Sequence, residues 1–147
     1  FISQLESNQT SPSLSTLEDI LTTLGSSFHE FFSDEQGDDP VCRKEDVFIK
    51  EDDGVTIHWL IPNAQKKDIE PILVTLQPGA KTETDLPHMG EEFGYVLSGA
   101  VTLELGGKNY RVRKGDSFSF KPSQQHDLKN TGKTPATVLW VCTPPNF

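Results

Sequence analysis

Cysteine is scarce in this chain of 147 residues, where Cys42 and Cys142 are the two cysteines and lie far apart. They do not make the framework of a disulfide-rich domain, so free thiols in a reducing cytosol are expected. No apolar run approaches the ~20 residues of a membrane-spanning helix, and we expect no secretory leader. These absences argue against membrane-spanning and small secreted proteins and predict a cytoplasmic location.

Basic residues are absent from the first part of the chain. Residues 1–42 contain neither lysine nor arginine and carry eight acidic residues, a formal charge of −8. The remaining 105 residues hold 13 basic and 14 acidic groups, a charge of −1. Because proteins that bind nucleic acid normally carry a basic patch, composition alone argues against DNA binding. The chain begins at Phe1 inside a patterned segment, so we expect further residues upstream.

Residues 1–32 have the pattern of helices. Aliphatic residues recur along one face of a 3.6-residue period, at Leu14, Leu17, Ile20, Leu21 and Leu24. Ser15 and Glu18 form a capping-box pattern, and Ser13 is the alternative first cap. Gly25 suits the left-handed residue that commonly follows a helix.

Beyond an acidic stretch at 33–46, which predicts a linker, the hydrophobic period changes to two. Short segments between glycine- and proline-containing turns predict strands at 55–61, 69–76, 92–97, 101–105, 110–112, 117–120, 126–129 and 137–141. The Gly106–Gly107 pair predicts a tight hairpin. Many short strands with frequent turns indicate a mainly β fold, either a sandwich or a barrel.

Three residues suggest a metal site. His88 and Glu92 are four positions apart at the start of a predicted strand, and His126 begins a later one. Two imidazoles and a carboxylate that converge inside a barrel can bind a divalent ion. From spacing alone, the more frequent outcome is a loop histidine and a strand histidine without metal, since short patterns of this kind arise by chance.

The second part of the chain, 47–147, resembles the cupin family. The resemblance is carried by two motifs, Gly79…His88-Met-Gly-Glu-Glu92-x6-Gly99 and Gly115…His126-x3-Asn130. It implies a double-stranded β-helix barrel that often encloses a ligand or a metal such as Zn, Ni, Fe or Mn. Leu86 stands where the first motif usually has a histidine, and Lys121 and Ser123 replace the usual Pro and Gly of the second. The resemblance therefore leaves at most His88, Glu92 and His126 as metal ligands.

Residues 1–32 resemble the second half of an XRE-type helix-turn-helix domain. The matching residues are Phe1-Ile-Ser-Gln-Leu-Glu-Ser-Asn8, Ser11-Pro-Ser-Leu-Ser-Thr-Leu17, Leu24-Gly25 and Phe31-Phe32. In this resemblance Gln4 matches a position that contacts bases, and Ser3 one that reaches phosphate. Together the two halves resemble the XRE–cupin regulators. That family implies a homodimer that binds operator DNA through the complete helix-turn-helix and senses a small-molecule effector in the barrel.

The subgroup similar to this chain includes regulators of putrescine utilisation, which implies a polyamine or related amine as effector. The candidate ligand residues are Glu91, Glu92, His88, His126, Trp59 and Tyr95. Two other functions remain open: a cupin metalloenzyme of dioxygenase or isomerase type with a helical appendage, and a ligand-binding barrel without a role at DNA. An enzyme needs a complete open metal site, so Leu86 and the helix-turn-helix pattern favour a regulator over an enzyme.

Overall fold

A computed structural model of the chain describes Leu5, residues 11–32 and residues 40–147. The chain divides into two compact units, Phe1–Pro40 and Val41–Phe147. The division falls inside the acidic stretch predicted as a linker, while the predicted domain ends at residues 32 and 47 stay predictions. Ser3 and Gln4, the candidate DNA contacts, lie outside the described residues.

The described part of the first unit contains helix α1 (Leu14–Thr23) and helix α2 (Phe28–Phe32). Of the two alternative caps, Ser13 begins α1, because its Oγ accepts a hydrogen bond from the Thr16 amide at 3.2 Å. Gly25 has φ +73°, and the Ser26 amide donates to the Leu21 carbonyl oxygen at 2.8 Å. The helix therefore ends as predicted, on a left-handed glycine.

Within residues 41–147, the second unit forms nine strands: β1 (Phe48–Asp52), β2 (Val55–Trp59), β3 (Glu70–Leu76), β4 (Glu91–Ser98), β5 (Ala100–Leu105), β6 (Lys108–Arg113), β7 (Ser117–Phe120), β8 (His126–Lys129) and β9 (Ala136–Thr143). They pair antiparallel in a six-stranded sheet, β1-β2-β3-β9-β4-β7, and a three-stranded sheet, β6-β5-β8. Short 3₁₀ turns span Lys44–Asp46 and Ala64–Lys66. The mainly β architecture is as the periodicity predicts.

The core follows the two-residue alternation of the strands. In β3 and β9 every second residue is buried, which places one face of each strand inside the unit. The buried apolar side chains form one cluster: Val55, Ile72, Val74, Leu76, Val96, Val101, Leu103, Val112, Leu128, Ala136, Val138 and Trp140. At one end of these strands the inward row becomes polar, because Cys142 lies opposite Glu70 on β3 and opposite Glu92 on β4.

One strand has no counterpart in the sequence analysis. All five residues of β1 are exposed, so the strand lacks the buried alternation on which the prediction rests. It pairs with β2 through a turn in which Asp53 and Gly54 have φ +40° and +78°. The predicted hairpin at Gly106–Gly107 is confirmed, with φ +57° and +77° and with Leu105 paired to Lys108. Among the described helices, none has both the length and the hydropathy that crossing a membrane requires.

Candidate functional site

A fully buried carboxylate, that of Glu92, is at the centre of the candidate site. Alternation along β4 turns this side chain inward, and its exposed fraction is 0%. Its Oε1 atom lies 2.9 Å from His88 Nε2 and 3.0 Å from His126 Nε2. Its Oε2 accepts a hydrogen bond from Trp140 Nε1 at 2.8 Å. The structure thus brings together the three predicted metal-site residues and adds Trp140 to them.

The other nitrogen of each histidine ring faces a backbone carbonyl. His88 Nδ1 lies 3.0 Å from the Met89 oxygen, and His126 Nδ1 lies 3.0 Å from the Gln124 oxygen. Because a carbonyl oxygen only accepts, each Nδ1 carries the hydrogen and donates it. Each neutral ring therefore presents an Nε2 lone pair toward Glu92. A proton or a metal ion between these lone pairs and the Glu92 oxygen would relieve their mutual repulsion.

Protonation is one way to supply that positive charge. Burial alone would lower the pKa of His126, but its hydrogen bonds to Glu92 and to the Gln124 carbonyl, with the charges of Glu92 and Asp85, bring that pKa above the ordinary histidine value. A charged His126 in turn keeps the buried Glu92 carboxylate paired, as a buried charge requires.

A divalent metal ion is the other possible source of positive charge beside Glu92, and the residues of the site are suited to bind one. Histidines that bind metals commonly donate their second ring N–H to a backbone carbonyl, which fixes the tautomer and the ring orientation. Across the described residues, ligand atoms within 4.8 Å of one another are found in His88, Glu92 and Cys142. His126 is not part of that set, although its Nε2 lies 3.0 Å from Glu92 Oε1. A metal here would neutralise the buried carboxylate.

Leu86, at the position that usually holds a histidine ligand, is 67% exposed. The residue before it, Asp85, does reach the site. Its Oδ2 lies 3.8 Å from His126 Nε2, and its backbone exchanges two hydrogen bonds with His126, at 2.9 and 3.2 Å. Burial raises the pKa of the Asp85 carboxyl. Sequence reasoning missed Asp85, although a carboxylate beside a missing ligand is a usable signal.

The other predicted ligand residues do not join this cluster. Glu91 and Tyr95 are exposed on the opposite face of β4 from Glu92, as strand alternation requires. Glu91 Oε1 instead accepts from the Ser119 hydroxyl at 3.4 Å. Trp59 is separate from the Glu92 cluster but lines a neighbouring cavity. The structure therefore divides the predicted ligand residues among three places.

That cavity has a volume of about 540 Å³. Its apolar lining includes the rings of Trp59, Trp140 and Phe147, and its charged lining comprises Asp52, Asp53, Glu83, Asp85, Lys50 and Lys81. Both lysines have acidic partners: Lys50 Nζ lies 3.8 Å from Glu83 and Lys81 Nζ lies 2.9 Å from Asp127. Hydrogen bonding to Asp127 raises the pKa of Lys81. The unpaired charge of the cavity is therefore negative.

A second buried carboxylate holds one of the cavity's rings in place. Glu70 Oε2 accepts hydrogen bonds from the amides of Asn146 and Phe147 at 2.8 and 2.7 Å. The Phe147 ring packs edge-on against Trp140, with 5.3 Å between ring centres. Sequence reasoning missed Glu70 because a lone glutamate at the start of a strand gives no sign of a partner 76 and 77 residues away.

Comparison with known proteins identifies the family. The Cupin domain family matches residues 72–142. The HTH-type transcriptional regulator PuuR of Escherichia coli is 32% identical to the chain over 149 residues, which is 99% of this chain and 80% of that protein; the PuuR of Shigella flexneri matches equally. The chain belongs to the XRE-type helix-turn-helix transcriptional regulators with a cupin domain. The resemblance noted in the sequence is thereby confirmed.

Solved structures agree with the fold of this XRE–cupin regulator. A helix-turn-helix family transcriptional regulator from Vibrio cholerae matches with a TM-score of 0.60 and 24% identity over 98% of this chain and 79% of its own. The cupin domain of an XRE family transcriptional regulator from Enterobacter cloacae matches with a TM-score of 0.57 and 19% identity over 64% of this chain and 100% of its own. The β unit is therefore a cupin fold.

Proposed function

We propose that this regulator senses a small organic cation, of the polyamine class or a related amine, in the cavity of its cupin barrel. The helical unit belongs, in this proposal, to the domain that binds operator DNA, and the protein acts in the cytoplasm. The observation that carries the proposal is the lining of the cavity, which combines aromatic rings with an excess of carboxylates.

The charges of the cavity favour a cation. Four carboxylates and two lysines line it, and both lysines already have acidic partners. Asp85 is the best anchor, because its side chain is only 35% exposed and a desolvated carboxylate is costly without a counter-charge. A ligand ammonium supplies that charge.

The aromatic rings of the cavity are suited to contact the alkyl chain of such a ligand. Trp59, Trp140 and Phe147 give the cavity apolar walls against which an alkyl chain packs. A ring face also attracts an ammonium group, a contact worth ~0.5–2 kcal/mol. The cavity therefore offers apolar walls for the methylene chain of such an amine and negative charge for its ammonium groups.

In this proposal Glu92 does not contact the ligand directly. Both of its oxygens already have partners, Oε1 in two histidines and Oε2 in Trp140. Asp85 lines the cavity and lies 3.8 Å from His126 Nε2, so an ammonium on Asp85 acts on the Glu92 cluster through His126. His88, His126 and Glu92 are therefore proposed as responding residues, with Trp59 in the cavity wall.

An exposed apolar row on the outer face of β4 is suited to contacts in a homodimer. Phe93, Tyr95 and Leu97 are 42%, 38% and 44% exposed and lie on the face of β4 opposite Glu92. We propose that this row packs against a second copy of the chain. A two-fold dimer presents two recognition helices to two half-sites of an operator, where Ser3 and Gln4 remain the proposed contacts.

The role proposed for the barrel is sensing rather than catalysis. Leu86 removes a ligand that the enzymes of the cupin family use, and the relatives that match along almost the whole chain are transcriptional regulators. Binding an effector needs no open metal position, so this departure is compatible with a sensor.

The test is calorimetric titration of putrescine and spermidine into the protein and into Asp85→Asn. Breaking a partly desolvated charge pair should weaken amine binding at least about tenfold. Glu91→Gln is the matched control, because it removes a carboxylate from the exposed face of the sheet and should leave the affinity unchanged. Failure of the unaltered protein to bind either amine, or equal affinity in Asp85→Asn, would contradict the proposal.

A further inference from the structure

Cys142 is a fully buried thiol whose neighbours on the adjacent strands are acidic. Its exposed fraction is 0%, and it lies on β9 directly between two acidic residues, Glu70 on β3 and Glu92 on β4. All three side chains turn inward. A valine or alanine would fill such a core position without placing a sulfur beside a buried carboxylate.

The sulfur lies within reach of the donors already described. Cys142 Sγ, a ring nitrogen of His88 and a carboxylate oxygen of Glu92 are all within 4.8 Å of one another. Ligand atoms on one tetrahedral zinc ion are roughly 3.5 Å apart, given Zn–S near 2.3 Å and Zn–N and Zn–O near 2.1 Å. Side-chain shifts of about 1 Å would therefore bring these three ligand atoms to the spacing that one zinc ion requires.

We propose that Cys142 is a metal ligand of this protein and that His88, Glu92 and Cys142 bind a zinc ion, with a water molecule completing the shell. Cys142 then provides a third protein ligand beside His88 and Glu92, where Leu86 provides none. On binding, the zinc–sulfur bond forms, the sulfur–hydrogen bond breaks and the proton passes to solvent. The Cys142 Sγ–H, which otherwise donates to the Pro144 carbonyl oxygen at 3.0 Å, gives up that hydrogen bond.

Charge and donor softness select the ion. A thiolate and a carboxylate together balance the two charges of Zn²⁺, so the buried centre is neutral, which limits its desolvation cost. Thiolate ligands favour zinc, whereas manganese prefers oxygen donors. The centre therefore takes zinc, and Co²⁺ as its spectroscopic substitute, in preference to Mn²⁺. The zinc proposal shares His88 and Glu92 with the proposed amine response, but it needs neither Asp85 nor the cavity, so a test with the metal alone distinguishes the two.

Cobalt spectroscopy tests the proposal on the full chain. Cys42→Ser is the starting variant, since Cys42 is exposed and its removal leaves Cys142 as the one thiol. Titration of this metal-free variant with Co²⁺ should produce the intense near-ultraviolet band of a thiolate–cobalt bond, and Zn²⁺ should abolish it by displacement. Adding Cys142→Ser should remove the band. Absence of the band in Cys42→Ser, or its persistence after Cys142→Ser, would overturn the proposal.

A second measurement does not depend on a variant of the buried thiol. X-ray absorption of the zinc-loaded Cys42→Ser protein should show one sulfur at about 2.3 Å. A shell made of nitrogen and oxygen alone would also overturn the proposal, whatever the folding of the Cys142→Ser variant.

Discussion

Glu92 and His126, which are 34 residues apart in the chain, meet inside the barrel with Glu92 Oε1 3.0 Å from His126 Nε2. His88 contacts the same oxygen at 2.9 Å. Both contacts join buried groups, because the Glu92 and His126 side chains have no exposed surface and that of His88 is 13% exposed. The carboxylate therefore connects the loop that carries His88 to strand β8.

Glu92→Gln should lower the free energy of unfolding by about 3–5 kcal/mol, because it removes one partner of a buried charged cluster. Urea denaturation measures the change. Glu91→Gln, one residue away on the exposed face, should stay within about 0.5 kcal/mol of the unaltered protein. Equal effects of the two substitutions would mean that the cluster contributes nothing specific to stability.

Gly90→Ala should be more destabilising than a glycine replacement at a turn. A Cβ at Gly90 would lie 2.1 Å from the Thr143 carbonyl oxygen, at φ +116°, so it combines a backbone collision with strain. We expect a loss of about 3 kcal/mol or more.

Gly107→Ala is the matched control for that substitution, since Gly107 has φ +77° and a Cβ added there would meet no heavy atom within 4 Å. It should cost only the ~1–2 kcal/mol of a left-handed residue. If urea denaturation gave the same loss for both variants, the close approach of Gly90 to Thr143 would not matter for stability.

The two thiols should react with Ellman's reagent at very different rates. Cys42 is exposed and Cys142 is buried, and burial, with the charges of Glu92, Glu70 and Asp85, raises the pKa of Cys142 to about 12. A thiol reacts as its thiolate, so at neutral pH the folded metal-free protein should release one equivalent of chromophore quickly. The second equivalent should follow only after unfolding in guanidinium chloride. Two fast equivalents from the folded protein would contradict the burial of Cys142.

Strands in which exposed residues alternate with buried or half-buried ones were predictable from the sequence. The prediction for β7 matches its observed bounds, Ser117–Phe120, because alternating phenylalanines lie between two turn signals. The exposed strand β1 was missed, because charged residues at Lys50, Glu51 and Asp52 hide the period and pairing with β2 determines its structure. The Asp53-Gly54 pair was the available signal, since this dipeptide favours a two-residue hairpin.

The site was predictable only in part. The convergence of His88, Glu92 and His126 followed from the family motifs. The row Glu70–Cys142–Glu92 depends on the order of β3, β9 and β4 in the sheet, and a single sequence does not reveal that register. Asp85 was missed for a related reason: its backbone pairing with His126 is a long-range contact of a loop.

The central claim is that the cupin barrel of this regulator recognises a small molecule by its positive charges. The most direct test compares 1,4-diaminobutane with 1,4-butanediol, which has the same carbon chain and no charge, in calorimetric titrations of the unaltered protein at low and high salt. The account predicts saturable binding of the diamine that weakens as salt screens the carboxylates, and no detectable binding of the diol. Equal affinity for both compounds, or no binding of the diamine at either salt concentration, would contradict it.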